Sequence, residues 1–159
     1  MEDSENPLKD IEQEKINKVI ALLLDRKLGK AGRDFMELYG VTEETLPTAI
    51  VRLHQFADVT SSAGVKTRSA DMLNEALYGY LFCGLFSEYE GRRKMDQGLL
   101  ATAHACWEYV EAIAGVLDPK SYIFQCGLLD KFGLRETMRR RMDRIKVLFA
   151  RIEKQEVGT

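Results

Sequence analysis

The sequence predicts an all-α fold: one domain over residues 1–159, a single bundle of about five or six helices. Three observations carry this. Apolar residues recur at helical spacing in every long segment. The only prolines, Pro7, Pro47 and Pro119, each fall at or near a predicted helix start. No Asn-Gly or Asp-Gly hairpin signal occurs, and strand-like alternation never exceeds a few residues. The expected helix content is above about 60%, well over the usual third.

The first helix is predicted to start at Asn6-Pro7, where Asn serves as N-cap and Pro occupies N1. Leu8, Ile11, Ile16, Val19, Ile20 and Leu23 form its stripe, widened by Leu24 and Leu28, until Gly29 and Gly32 end or kink it. Arg33 to Tyr39 is expected to add a helical turn before Gly40. A second helix starts near Thr42, with Val41 and Leu46 placed as a hydrophobic staple. Leu46, Ile50, Leu53 and Ala57 mark its inner face, and Thr60 to Gly64 reads as a loop.

The third helix spans about Ser69 to Tyr89 and is apolar all round from Tyr80 to Phe86, which predicts a central position. Ala76, Gly79 and Cys83 share a small-residue face that lets a neighbour approach closely. Gly91 and Arg92-Arg93-Lys94 read as the following turn. The fourth helix is capped by Asp96. Its seam of Leu100, Ala103, Trp107, Val110, Ala114 and Leu117 is predicted to bury Trp107. A short fifth helix runs from Lys120 to about Lys131. A sixth runs from Leu134 to about Gln155 on Leu134, Met138, Met142, Ile145, Phe149 and Ile152. Residues 1–6 and 156–159 are expected to fray.

Composition narrows the function classes. Hydrophobic residues make up 45% and charged residues 30%, with no apolar run long enough to span a bilayer. The acidic start carries no secretory pattern. Three cysteines, Cys83, Cys106 and Cys126, form no CxxC pair; buried structural thiols in a reducing, cytoplasmic compartment fit best. Membrane attachment is not expected.

The net charge of −2 hides an asymmetry. Glu2, Asp3, Glu5, Asp10, Glu12 and Glu14 outweigh Lys9 in the first fourteen residues, a net of −5. Residues 132–154 carry a net of +5. Arg135, Arg139, Arg140 and Arg144 of this segment, with Arg92, Arg93 and Lys94, are the candidate phosphate-binding residues. The competing expectation is a solvated face paired with the acidic N-terminus. Aromatic residues suited to stacking on single strands are few, since only Phe132 and Phe149 flank the basic run.

The segment Gly133-Leu134-Arg135 through Arg139-Arg140-Arg141-Met142-Asp143-Arg144 resembles the last helix of translin-type proteins, and Glu75-Ala76-Leu77-Tyr78-Gly79-Tyr80 resembles an inner helix of that family. The resemblance covers part of the chain and implies an all-α protein that binds single-stranded nucleic acid. It does not extend to nuclease activity: where nuclease members carry acidic residues on the inner helix, Gly79 and Phe82 stand nearby.

Other chemistry is sparse. His104, Glu108 and Glu111 share a helix face, but the paired Glu-x-x-His motifs of a di-metal bundle are missing, so no metal site is predicted. His54 resembles the phosphoacceptor of histidine phosphotransfer domains, yet Ala57 and Asp58 replace the Lys and Gly expected after it. No phosphate-cradling Gly-rich loop, nucleophile elbow or Cys-His pair is found. No cofactor and no catalytic residue are predicted. The leading expectation is a non-enzymatic helical protein acting through a protein partner, as adaptor, regulator or assembly subunit. Homodimerisation is expected to cover the apolar third and sixth helices, with Gly79, Cys83, Phe86 and Trp107 as candidate helix-packing or interface residues. The alternative is a nucleic-acid-binding subunit using the basic last helix.

Overall fold

The computed structural model describes residues 6–121, 124 and 130–157. Its six helices are α1 (Gln13–Leu24), α2 (Leu28–Tyr39), α3 (Leu46–Thr67), α4 (Ala70–Lys94), α5 (Gln97–Val116) and α6 (Lys131–Val157). The described residues contain no strand, and the helices form one bundle. α4 lies between α3 and α5, α6 packs on α5, and the α1–α2 pair rests on α4 through α2. No described helix is long and apolar enough to cross a membrane.

The beginning of the chain departs from expectation. Asn6 caps a single turn, its Oδ1 accepting from the Leu8 N–H at 2.9 Å, while α1 itself starts at Gln13 after an extended Glu12. α1 ends without glycine or proline: Arg26 takes the left-handed conformation (φ 63°) that terminates helices. Gly29 and Gly32 therefore lie inside α2. Gly32 is buried because a Cβ there would stand 2.6 Å from the Tyr89 ring. The segment Arg33 to Tyr39 belongs to this full helix, which stops at Gly40 (φ 79°), a conformation that disfavours residues with a Cβ.

Two expected breaks are continuous helix. Thr60 to Gly64 lies within α3, where Thr60 and Gly64 are buried and a Cβ on Gly64 would meet Leu73 at 3.1 Å. Gly91 to Lys94 is the last turn of α4, with Gly91 pressed on Leu100 of α5. In both, small residues serve helix contact and not chain reversal. α4 is capped by Ser69, which accepts from the Met72 N–H at 3.2 Å; α5 is capped by Asp96, which accepts from Leu99 at 3.1 Å. Most of the expected fifth helix, and Cys126, lie outside the described residues. Lys131 instead opens α6, three residues before the expected Leu134.

α4 is apolar all round because the same chain surrounds it. Leu81, Phe82, Cys83, Leu85 and Phe86 are completely buried, and Phe35 of α2 stacks on Phe82 with ring centroids 4.1 Å apart. Trp107 of α5 is also completely buried, lying across Gly84. Gly79 meets Ala57 of α3. These interface candidates are consumed inside one chain, so they supply no argument for a second copy.

Candidate functional site

The site is built on a buried carboxylate. Glu88 follows the apolar stretch of α4 and is completely buried. Desolvating a carboxylate is tolerable only with strong partners. Arg141 of α6 supplies a fork, Nε donating to Oε1 at 3.0 Å and a terminal nitrogen to Oε2. Arg92, one turn along α4, donates through Nε to Oε2 at 2.6 Å. The Trp107 indole N–H donates to Oε1 at 2.9 Å. Two guanidiniums thus share one carboxylate. Two residues along α4, buried Glu90 accepts from Arg93 at 2.9 Å and stands 3.7 Å from the Lys94 ammonium. Arg93 also donates to Glu43 at 2.7 Å.

Above this layer, where the α1–α2 corner faces the end of α4 and the middle of α6, lies a cavity of about 440 Å³. Arg26, Lys27, Arg92, Arg93, Arg141 and Arg144 line it, with Gly29 and Tyr89. A second hollow of about 250 Å³ adjoins it and shares Arg26, Arg141 and Arg144; Arg140, Thr137 and Asp143 complete its wall. A third, of about 270 Å³, shares Thr137 and Arg140 but turns acidic at Asp130 and Glu136. The cationic part of this groove follows α6 from Thr137 to Arg144, roughly 10 Å at the rise of an α-helix.

The charge of the groove is only partly compensated. Arg26 and Arg144 are exposed and pair with no carboxylate among the described residues. Lys27 pairs with Asp25 at 3.4 Å. Arg140 donates to the Thr137 hydroxyl at 3.1 Å, and its Nε is buried without an acceptor. Positive potential therefore collects where four segments meet, and neither Glu12 nor Glu14 pairs with it.

The candidate basic residues divide into two groups. Arg92, Arg93, Arg140 and Arg144 line the groove; Lys94 stands behind it on Glu90. Arg135 and Arg139 lie on the α5 side, both bonded to Glu111 at 2.8–2.9 Å. Burial alone would raise the Glu111 carboxyl, but these two hydrogen bonds hold it below the usual glutamate range. Arg26, Lys27 and Arg141 are groove residues outside the set predicted from sequence. Glu88 was the available signal: an acid directly after the apolar stretch of its helix, four residues before an arginine.

The remaining titratable groups form local structure. His54 Nδ1 stands 3.1 Å from Asp58 Oδ2, and Asp58 also accepts from the Tyr80 hydroxyl. Burial and then this bond push the Tyr80 phenol above its usual range. His104 lies 3.5 Å from Glu108, while Glu111 is taken up by arginines. Among the described residues, no three His, Cys, Asp or Glu side chains are grouped to hold a metal. Cys83 and Cys106 are buried and free; contact with Cys83 and burial push the Cys106 thiol up.

No family model, curated protein or solved structure matches the chain, so the resemblance of its last helix to translin-type proteins stands on the residues alone.

Proposed function

We propose that this chain is a non-enzymatic helical binding protein whose groove holds backbone phosphates of single-stranded nucleic acid. One observation carries the reading. Arg26, Arg140 and Arg144, none paired with a carboxylate among the described residues, converge with Arg92 and Arg141, which share a single carboxylate, on two adjoining hollows. Guanidinium forks suit phosphate oxygens, and side chains held in place by Glu88 lose little freedom on binding. The single aromatic ring of the wall, Tyr89, gives little means of reading bases, so binding is expected to be tolerant of sequence.

Anisotropy of a labelled, unstructured oligonucleotide tests this. Neutralising about three single-strand phosphates gives a log–log salt slope near −2, so affinity should fall about twentyfold between roughly 50 and 200 mM salt. Arg26→Ala with Arg144→Ala should remove most of the binding and flatten the slope. Arg139→Ala, outside the groove, should change it little. No binding at low salt would overturn this reading and leave a protein partner as the function.

A further inference from the structure

We infer that the larger hollow, at the α1–α2 corner, is the seat of a terminal phosphate monoester, the end of a strand and not a point along it. The inference rests on the groove reading above and adds polarity of charge within it. Strand phosphates are diesters with one charge each, spread along the chain. A monoester near neutral pH carries about −1.5 to −2 and three terminal oxygens at one point.

The two adjoining hollows differ in the way such ligands differ. The smaller one shares Arg26, Arg141 and Arg144 with the larger and adds Arg140, but its wall also carries Asp143, which suits a diester. The larger one has no acidic lining residue and gathers Arg26, Arg92, Arg141 and Arg144 from three directions around about 440 Å³. Arg92 spends only its Nε on Glu88, which leaves both terminal nitrogens on the wall unbonded among the described residues. Arg141 likewise keeps one terminal nitrogen. These donors are held by a completely buried carboxylate that Trp107 also fixes, so they stand ready before a ligand arrives. Tyr89 adds an aromatic wall beneath Arg93, whose guanidinium carbon lies 6.0 Å from its ring centroid. Gly29 leaves the opposite wall open: the nearest neighbour of a Cβ there would be Arg33, at 3.5 Å. The volume falls within the range of small-ligand sites, enough for one phosphate and its nucleoside.

The experiment compares one single-stranded oligonucleotide in three forms, with a 5′-phosphate, a 3′-phosphate or neither, by competition anisotropy on the full chain at about 150 mM salt. One phosphorylated form should bind at least tenfold tighter than the unphosphorylated strand. Lys27→Ala and Arg93→Ala, at exposed positions that line the larger hollow alone, should bring the three affinities together while most binding of the unphosphorylated strand remains; circular dichroism checks their folding. Equal affinity of all three strands for the native protein would overturn this inference and leave the groove reading intact. A uniform loss across the three in the variants, with the preference retained, would also overturn it. Binding of none of them, at about 150 mM and again at about 50 mM salt, would overturn both. Adenosine monophosphate against adenosine separates a strand end from a free nucleotide. Displacement by the monophosphate alone supports the monoester seat, and equal displacement by both contradicts it.

Discussion

Glu88 shows how one side chain organises the molecule. Its carboxylate ties α4 to α5 through Trp107 and to α6 through Arg141; Glu88 and Trp107 are completely buried, and Arg141 is buried but for its edge on the groove. Removing one partner of a buried pair strands the other charge, whereas replacing both with apolar groups is often neutral. Glu88→Met and Arg141→Met should each destabilise by about 3–5 kcal/mol, and the double variant should recover much of that loss in urea unfolding. Additive losses would mean that the pair is not coupled. Half of the groove could be read at this scale. Arg92, Arg93, Arg140 and Arg144 stand out as basic residues in the sequence, but pairing decides their use. Glu111 withdraws Arg135 and Arg139, while Arg26 enters from a linker whose position opposite α6 no local pattern encodes.

Helix identity, the start of α4 near Ser69 and the Asp96 cap of α5 follow from the sequence because caps and apolar spacing act within a few residues. Several boundaries do not. Gly32, Gly64 and Gly91 have the composition of turns, yet each lies where another element crosses closely, a fact set for Gly32 by Tyr89 far along the chain and for Gly64 and Gly91 by Leu73 and Leu100 at the start of the next helix. Arg26 ends a helix with no Gly or Pro to announce it. Gly84 is the clearest case of a glycine serving contact: a Cβ there would meet the Trp107 ring at 2.7 Å. The ring is completely buried and has no room to yield, so Gly84→Ala should destabilise by about 1–3 kcal/mol despite the better helix propensity of alanine. A raised unfolding midpoint would contradict this contact. The α5–α6 link through Glu111 is sensitive to pH. Its carboxyl is held below the normal value, so its contribution is present above the unfolded pKa of about 4.3 and is lost as pH falls through the folded value. Glu111→Gln should lower the urea midpoint at about pH 7, and the gap to the native protein should narrow as pH falls below about 4.

At the scale of the whole molecule, a net charge of −2 conceals a basic groove on an otherwise mixed surface. The bundle buries the apolar stretch of its central helix, and the charged groove is the feature that sets its surface apart. The central claim is that this groove, and not the arginines paired with Glu111, meets the ligand. Arginine Nε–Hε resonances followed by NMR during titration with a single-stranded oligonucleotide test it most directly. Shifts are expected at Arg26, Arg92, Arg140, Arg141 and Arg144, with Arg135 and Arg139 unmoved. Shifts confined to Arg135 and Arg139, or none at saturating oligonucleotide, would contradict it.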